Sequence, residues 1–345
     1  MSLAVRFIWI TLLLSLSLNA FGQERVAFTS IDEAGPDYLI QGEYRGAVRL
    51  AGVLRSSAGL QVIARGEGKF VANLIPGGLA GQGGKLSEQF ELEGQTNDDG
   101  ATVLEHDNYR VTIDNGIATV LNLEGRRIGK LRHIVRQSVT MGMPAPAEAV
   151  ILFDGQNTDN LVDAKVTDEG HLMEGVLTRE LVKDFRLHLE FKTPFMPNSL
   201  GQARGNSGIY IQRRYEVQVL DSFGLEGVHN ECGGLYRQKP PLVNMAFPPL
   251  VWQTYDIQFR AARFNDAGEK TENAQITVYH NGMAIHEGYE LTGKTGAGQP
   301  EAPTAMPILL QNHSDPVRYR NIWLVHLDEE TVSARPEKRK RLGDK

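Results

Sequence analysis

The stretch FRLHLEFK at residues 185–192 alternates strictly between large apolar and polar side chains. Successive side chains of a β-strand point to opposite sides of the sheet, so the stretch predicts a strand with one apolar and one polar face. Residues 215–221 and 255–260 show the same alternation, and Asn-Gly at 281–282 is a strong signal for a type I′ hairpin. Antiparallel sheets packed face to face fit this pattern, which predicts an all-β, jelly-roll sandwich over residues 150–328.

The first half of the chain also consists of short β-rich runs separated by turns. Glycine-containing turns at 97–100 and 114–116 are typical of hairpins, so residues 23–142 are predicted to form a smaller all-β domain, a sandwich or a barrel. The glycine-rich stretch 77–84 lacks the lysine-serine pair of a phosphate-binding loop and is predicted to be a mobile surface loop. Residues 143–149 form a short Pro/Ala linker between the two domains.

Length, charge and cysteine content limit the class of protein. A chain of 345 residues favours two domains. The net charge of -6 argues against nucleic acid as a partner, because no basic excess is present to neutralise phosphates. Cys232 is the only cysteine, so no internal disulfide can form, and we expect this thiol to be buried.

The N-terminus has the features of an export signal. Arg6 precedes an apolar stretch at 7–18, and the small residues around Ala20 and Gly22 predict cleavage after Gly22. The protein is then expected in the periplasm or outside the cell, with no membrane-spanning segment after cleavage. An uncleaved N-terminal anchor is the alternative. Residues 329–345 are predicted to be a charged, solvated tail.

The polar faces of the predicted sandwich strands mix carboxylates, guanidinium groups, amides and imidazole. Sugars require this mixture, because each hydroxyl is both a donor and an acceptor and bidentate side chains can bridge neighbouring hydroxyls. The sequence therefore predicts a polar concave face that binds a small carbohydrate.

An ordered set of motifs resembles a known family. The set comprises LFDGQN at 152–157, FRLHLEFK at 185–192, GNSGIY at 205–210, YEVQVLD at 215–221, GGLY at 233–236, LQNH at 310–313 and RNI at 320–322. In this order the motifs are similar to those of the 3-keto-disaccharide hydrolase family, and the resemblance covers about half of the chain. It implies a concanavalin A-like lectin/glucanase jelly roll and cleavage of glycosides whose sugar carries a ketone at C3.

The implied chemistry is elimination followed by hydration. The C3 ketone acidifies the C2 proton, a general base removes it, the enolate expels the C1 substituent, and water then adds. Glu216 is predicted as base or sugar ligand, His313 as proton donor or enolate partner, Arg320 as enolate stabiliser, and Glu190 as second carboxylate. We expect these four side chains to converge on one pocket.

Further residues are predicted to bind the substrate. Gln218 shares a strand face with Glu216, and Asp221 could join them if a bulge shifts the register. The predicted substrate-binding residues are Gln218, Asp221, Asn206, Lys192, Tyr236 and Gln311, and the candidate stacking platforms are Tyr236 and Trp252. No strong ligand spacing is present, so no metal site is predicted, although a divalent metal stays open.

Two other functions fit the same fold. An ordinary glycoside hydrolase is one alternative, since Glu-x-Gln-x-x-Asp at 216–221 is similar to the Glu-x-Asp-x-x-Glu strand of laminarinase-like retaining glucanases. Gln218 occupies the position of the middle acid, which argues against ordinary glycoside hydrolase activity. A non-catalytic, lectin-like binding module is the other.

Overall fold

The computed structural model of the protein describes residues 25–50 and 56–328, and the predicted signal peptide and tail lie outside this range. Strands dominate the described residues. The helical elements are α1 (Gly35–Ile40) and two 3-10 turns, Leu86–Glu88 and Gly201–Ala203. The all-β prediction is therefore confirmed. None of the helices in the described ranges combines the length and apolar character needed to cross a membrane.

The N-terminal half is a closed barrel of eight antiparallel strands in chain order. Its first strand pairs with both the second and the eighth, which removes free sheet edges. The strands are β1 (Gly42–Val48), β2 (Ser56–Gly66), β3 (Lys69–Pro76), β4 (Phe90–Thr96), β5 (Thr102–His106), β6 (Tyr109–Asp114), β7 (Ile117–Asn122) and β8 (Arg127–Ile134).

The barrel interior is packed with side chains. In β6, Tyr109, Val111 and Ile113 are buried and alternate with outward-facing residues. Eight strands enclose an interior just wide enough for side chains to fill. The predicted turns at 97–100 and 114–116 connect β4 to β5 and β6 to β7, which confirms both hairpins.

The C-terminal half is a sandwich of two antiparallel sheets. One sheet has five strands in the order β10-β12-β21-β14-β15, and the other has the order β11-β22-β13-β16-β19-β20 with β9 paired to β22. The strands are β9 (Val150–Phe153), β10 (Leu161–Val162), β11 (Leu172–Met173), β12 (Val176–Thr178), β13 (Phe185–Lys192), β14 (Ser207–Ile211), β15 (Tyr215–Val219), β16 (Gln253–Arg260), β17 (Arg263–Phe264), β18 (Lys270–Glu272), β19 (Ala274–His280), β20 (Met283–Leu291), β21 (Leu309–Leu310) and β22 (Arg318–His326).

The sandwich core lies between the two sheets. Leu187 and Leu189 of β13 meet Ile209 of β14 and Val217 of β15 in one buried cluster. The hairpin at Asn281 and the next residue joins β19 to β20 with positive φ at both positions, as the sequence predicts. Cys232 is buried in this core, and burial raises the pKa of its thiol to about 11, so it is an unreactive packing residue.

The barrel and the sandwich share their cores at the junction. Phe195 and Leu250 belong to the sandwich but are buried in the barrel cluster, and Ala80 of the barrel is buried in the sandwich cluster. Arg136, which follows β8 and pairs with Glu43 of β1, places its guanidinium carbon 4.6 Å from the centroid of the Phe247 ring of the sandwich. The two units therefore meet through packed apolar side chains as well as through residues 143–149.

The glycine-rich stretch 77–84 contributes to this junction. Leu79 and Ala80 are buried, and Gly81 lies against the Met245 side chain of the sandwich. The Ala80 carbonyl accepts a hydrogen bond from Arg136 at 2.8 Å. The prediction of a mobile surface loop is therefore wrong, because the small residues allow the close approach of two packed domains.

Replacing Phe195 by alanine tests this shared core. We expect Phe195→Ala to lower the free energy of unfolding by about 3–5 kcal/mol, because a buried aromatic ring is lost and leaves a cavity. The matched control is Leu39→Ala, whose side chain is 67% exposed in α1 and should change stability by no more than about 0.5 kcal/mol. Urea unfolding measures both. Equal effects of the two substitutions would contradict the shared core.

Candidate functional site

The polar side chains of the sandwich occupy two separate outer faces. His188 and Glu190 of β13 point away from the core on the seven-stranded sheet, while Glu216 and Gln218 of β15 point away from it on the five-stranded sheet. Packed sheets lie about 10 Å apart, and the two sets of side chains point in opposite directions. The predicted single pocket that combines Glu190 with Glu216 is therefore not formed. We call the two surfaces the Glu190 face and the Glu216 face.

The chain itself covers the Glu190 face. Ser138 and Thr140 place their hydroxyls 2.6 and 2.8 Å from Thr254 Oγ1. The backbone N–H of Gly142 donates to Glu190 Oε1 at 2.6 Å, and the Met143 carbonyl accepts from the Trp323 indole at 3.2 Å. Residues 138–143 therefore form a strip, here called the covering strip, over the centre of this sheet.

Glu190 is a fixed anion beneath the covering strip. Its Oε2 accepts from Arg320 Nε at 2.6 Å and its Oε1 from Asn321 Nδ2 at 2.9 Å. Burial alone would raise the pKa of Glu190, but hydrogen bonds from His188, Asn321, Arg320 and the Gly142 N–H outweigh it and lower the pKa to about 2. A carboxylate so strongly stabilised in its charged form is a poor proton acceptor near neutral pH.

His188 completes this buried charge network. Its Nδ1 lies 2.7 Å from Asp256 Oδ1, and its ring stacks on Trp323 with the centroids 5.2 Å apart. Burial lowers the pKa of His188, but hydrogen bonds and charge from Asp256 and Glu190 raise it above the ordinary value. The network places the His188 ring between two carboxylates and ties β13 to β16 and β22.

On the Glu216 face the pKa of the buried glutamate is shifted upward, opposite to the shift of Glu190. Glu216 pairs across the hairpin with Tyr210, whose hydroxyl donates to Glu216 Oε2 at 2.7 Å. Gly208 leaves room for the carboxylate, since a Cβ at that position would clash with Glu216 Oε1. Burial raises the pKa of Glu216 to about 7, and the Tyr210 hydrogen bond opposes the rise. This carboxyl group can therefore both take up and release a proton near neutral pH.

Amide side chains lie on the same face as Glu216. Gln218 Nε2 donates to Gln202 Oε1 at 3.1 Å, and Asn206 Nδ2 donates to the Gln202 carbonyl at 2.8 Å. Gln311 follows β21, and its backbone N–H donates to the Gly208 carbonyl at 2.9 Å. Among the described residues, Asn206 Oδ1 and Gln311 Oε1 are buried acceptors without a hydrogen-bond partner. Two such oxygens suit donors that arrive with a ligand.

Tyr236 and His313 lie at the margins of the same face. The backbone N–H of Tyr236 donates to the Glu216 carbonyl at 3.2 Å. His313 is exposed in the loop between β21 and β22. Burial raises the pKa of Asp315, and the nearby His313 opposes that rise. Asp315 in turn accepts from the Asn206 backbone N–H at 2.8 Å, so this loop borders the amide cluster.

Asp221 does not join the Glu216 face. Strand β15 ends at Val219, and Asp221 Oδ2 instead accepts from Arg204 Nε at 2.6 Å in a buried ion pair. Arg204 also donates to the Ala64 carbonyl of the barrel at 3.2 Å. The predicted bulge that would bring Asp221 beside Glu216 is therefore wrong, because the chain turns toward the barrel there.

The structure thus divides the predicted site residues into three groups. Glu216, Gln218, Asn206, Tyr236 and Gln311 share one face, with His313 at its border. Glu190, Arg320 and Lys192 lie on the other sheet. Asp221 lies at the domain junction.

The sequence analysis missed Tyr210 and Gln202. Tyr210 could have been found, since the alternation in β14 places it on the same face as Gly208 and opposite Glu216. Gln202 lies in a loop without any periodic pattern. In the described ranges, no group of three or more histidine, cysteine, aspartate or glutamate side chains is arranged to hold a metal ion.

Comparisons with known proteins address the sandwich. The sequence profile described as the 3-keto-alpha-glucoside-1,2-lyase-like domain matches residues 148–325. A solved structure of a candidate glycosyl hydrolase from Parabacteroides distasonis is 33% identical, with a TM-score of 0.49, over 53% of this chain and 85% of its own. Two further candidate glycosyl hydrolases from that organism are 18% and 21% identical, with TM-scores of 0.39 and 0.37. Each spans 52% of this chain, and they are covered over 94% and 99% of their own length. None of the curated proteins matches the chain.

The opposite states of the two glutamates predict opposite effects on stability. The folded-state pKa of Glu216 lies above its ordinary value of 4.5, so its stabilising effect is complete below pH 4.5 and is lost as pH rises through about 7. The folded-state pKa of Glu190 lies below 4.5, so its stabilising effect is present above pH 4.5 and is lost as pH falls through about 2.

At pH 8 we therefore expect Glu216→Gln to raise the free energy of unfolding by up to about 3 kcal/mol and Glu190→Gln to lower it by at least about 2 kcal/mol. Urea unfolding at pH 8 and pH 4 is the measurement. The gain from Glu216→Gln should vanish at pH 4. A shift of the same sign for both variants at pH 8 would show that the two carboxylates do not differ as described.

Proposed function

Because the chain belongs to the 3-keto-alpha-glucoside-1,2-lyase-like domain family, we propose that it cleaves 3-keto-glycosides with Glu216 as the general base. The family makes this a carbohydrate-active protein. The keto sugar, the elimination route and the residue roles are our inference. The observation that carries it is the buried Glu216 carboxyl, with a pKa of about 7, on a sheet face that also carries amide side chains.

The proposed reaction begins at C2 of the sugar. The Glu216 carboxylate takes the C2 proton, and the electron pair of the C–H bond passes into an enolate with the C3 ketone. The enolate then forms the C1–C2 double bond while the C1–O bond breaks, and its electron pair leaves with the aglycone oxygen, which takes up a proton. Water adds at C1, and Glu216, whose acquired proton has exchanged with solvent, returns a proton to C2. The net change is hydrolysis.

The surroundings of Glu216 suit the base of this sequence. A general base works best when its pKa is near the working pH. A lower pKa makes the carboxylate a weaker base, and a higher pKa leaves less of it deprotonated. Burial provides this shift, and the Tyr210 hydroxyl fixes one carboxylate oxygen at 2.7 Å. In the proposal the Tyr236 hydroxyl stabilises the enolate charge, since the Tyr210 hydroxyl already donates to Glu216. Arg320 cannot take this role, because it lies on the other sheet and binds Glu190.

The amides and the histidine have supporting roles in the proposal. Gln218, Gln202 and the unpartnered oxygens of Asn206 and Gln311 would bind sugar hydroxyls, which are donors and acceptors at once. His313, on the exposed loop beside them, would protonate the leaving oxygen. A two-carboxylate glycosidase is less well supported, since such enzymes need a second acid within about 5–10 Å of the first. Gln218 stands beside Glu216, and Asp221 is paired with Arg204.

The proposal is tested with a 3-keto-glucoside in D₂O. We expect the purified protein to release the aglycone and to leave deuterium at C2 of the sugar, seen by NMR. Glu216→Gln should lower kcat/KM by at least about 1000-fold, since the base is removed. The matched control is Glu226→Gln, an exposed carboxylate of the same domain, which should leave turnover unchanged.

Three outcomes would count against the proposal. Cleavage without deuterium at C2 would exclude the elimination route. Binding of the keto-glycoside without turnover would favour a lectin-like module. Release of reducing sugar from laminarin that is lost in Glu216→Gln would favour an ordinary glycoside hydrolase.

We also propose that the chain is exported through residues 1–22, which lie outside the described residues. The apolar stretch and the small residues before Gln23 support this proposal. The mature protein should then begin at Gln23. The intact mass of the protein expressed in its host is the measurement, and a mass that retains residues 1–22 would instead support an uncleaved anchor.

A further inference from the structure

A group of cations lies at one end of the seven-stranded sheet, beyond the covering strip. Three neighbouring strands bring it together, because β13 pairs with β22 on one side and with β16 on the other. Lys192 ends β13, Arg318 and Arg320 lie on β22, and Trp252 directly precedes β16. We call Lys192, Arg318, Arg320 and Trp252 the cationic cluster.

The cluster is built around an indole ring. The guanidinium carbon of Arg320 lies 4.0 Å from the centroid of the Trp252 ring, and Lys192 Nζ lies 5.2 Å from it. The ring of His171 contacts the same indole edge-on, with the centroids 4.9 Å apart. Cation–π contacts hold the positive groups at fixed positions, and Lys192, Trp252 and Arg320 each keep part of their surface in solvent.

The charges of the cluster are not balanced by the protein. Arg318 pairs with Glu174 at 3.0 Å and Arg320 with Glu190 at 2.6 Å. Lys192 has no such partner among the described residues, since its polar contact is the Thr29 carbonyl at 3.4 Å, and Glu169 acts on it only at longer range. A half-buried ammonium group beside two guanidinium groups therefore lacks a counter-charge.

The strand register makes this arrangement unfavourable for stability alone. Lys192 lies directly opposite Arg318 in the antiparallel pair. Like charges at opposed positions destabilise a sheet. Burial lowers the pKa of Lys192, and the charges of Arg318 and Arg320 lower it further, which is the electrostatic signature of this repulsion. An arrangement that costs stability in the free protein is relieved when an anion binds.

We propose that the cationic cluster binds an oxyanion carried by a sugar, a carboxylate or a sulfate group on an acidic glycan. The sugar follows from the carbohydrate-active family, and the oxyanion follows from the unbalanced cluster. Lys192 supplies the charge-assisted contact, Arg318 and Arg320 supply the surrounding positive potential, and the indole edge and His171 provide the wall of the site. The site is separate from Glu216, which lies on the opposite sheet, and the proposal does not rest on the reaction proposed there.

Calorimetric titration of the full chain tests the site with four probes. These are trigalacturonate, a sulfated galactan disaccharide that contains no uronic acid, cellotriose and sodium sulfate. We expect at least one acidic saccharide to bind, with an affinity that falls as salt is added, and we expect cellotriose not to bind at this site. The two acidic probes distinguish a carboxylate from a sulfate.

The variants use both ends of one strand. Lys192→Gln should weaken binding of the acidic saccharide about tenfold or more, since one charge-assisted contact is lost. Lys192→Arg should retain most of the affinity. The matched control is Lys183→Gln, an exposed lysine just before the other end of β13. The melting temperature of Lys192→Gln should equal or exceed that of the unchanged protein, because the repulsion is removed. Glu216→Gln should bind as the unchanged protein does.

The overturning results are equally specific. Equal affinity for sodium sulfate and the acidic saccharides would remove the sugar from the proposal. If cellotriose binds as tightly as the acidic saccharides, or if Lys192→Gln and Lys183→Gln lose the same affinity for them, the cationic cluster is not the binding site. If the unchanged protein binds an acidic saccharide but does not cleave a 3-keto-glucoside, the proposed reaction is contradicted and this site stands.

Discussion

Every strand of the sandwich turns one set of side chains toward the other sheet and the alternate set away from it. The apolar set forms the core between the sheets, and this burial fixes where all polar residues of the same strands can lie. Polar residues of the two sheets are thereby directed to opposite outer surfaces. The separation of Glu190 from Glu216, and of the cationic cluster from Glu216, follows from this single constraint.

Two glutamates of equal intrinsic acidity show how strongly the surroundings decide chemistry. Both are buried, which by itself raises the pKa of a carboxyl group. Glu190 receives hydrogen bonds from a guanidinium, an amide and a backbone N–H and is held as an anion. Glu216 receives one phenolic hydrogen bond and keeps a pKa of about 7. The first arrangement favours rigidity, and the second maintains a group that can exchange protons at a cost in stability.

Much of the fold could be predicted from local patterns, and much of the site could not. The alternation in 185–192 and the turn at Asn281 determine strand faces and a hairpin over a few residues, so both are readable in the sequence. Which sheet receives a strand depends on contacts distant in the chain, so nothing near Glu216 indicates that it lies far from Glu190. The contacts of the covering strip with Thr254 and the ion pair of Asp221 with Arg204 are likewise long-range. Tyr210 could have been predicted from the sequence, because the alternation in β14 and β15 places it opposite Glu216 in the hairpin.

The family match covers residues 148–325, but the side chains that pack together also include those of the barrel. A segment cut at residue 148 would leave Phe195 and Leu250 without the barrel residues that surround them, and Glu190 without the Gly142 N–H. A gene fusion that moves residues 148–325 alone would therefore separate the complementary surfaces of the sandwich and the barrel. A barrel transplanted from a relative would need matching residues around Ala80 and at Arg136, whose guanidinium carbon lies 4.6 Å from the centroid of the Phe247 ring. Substitutions at the junction in one half therefore restrict which substitutions the other half tolerates, and the two halves are expected to diverge together.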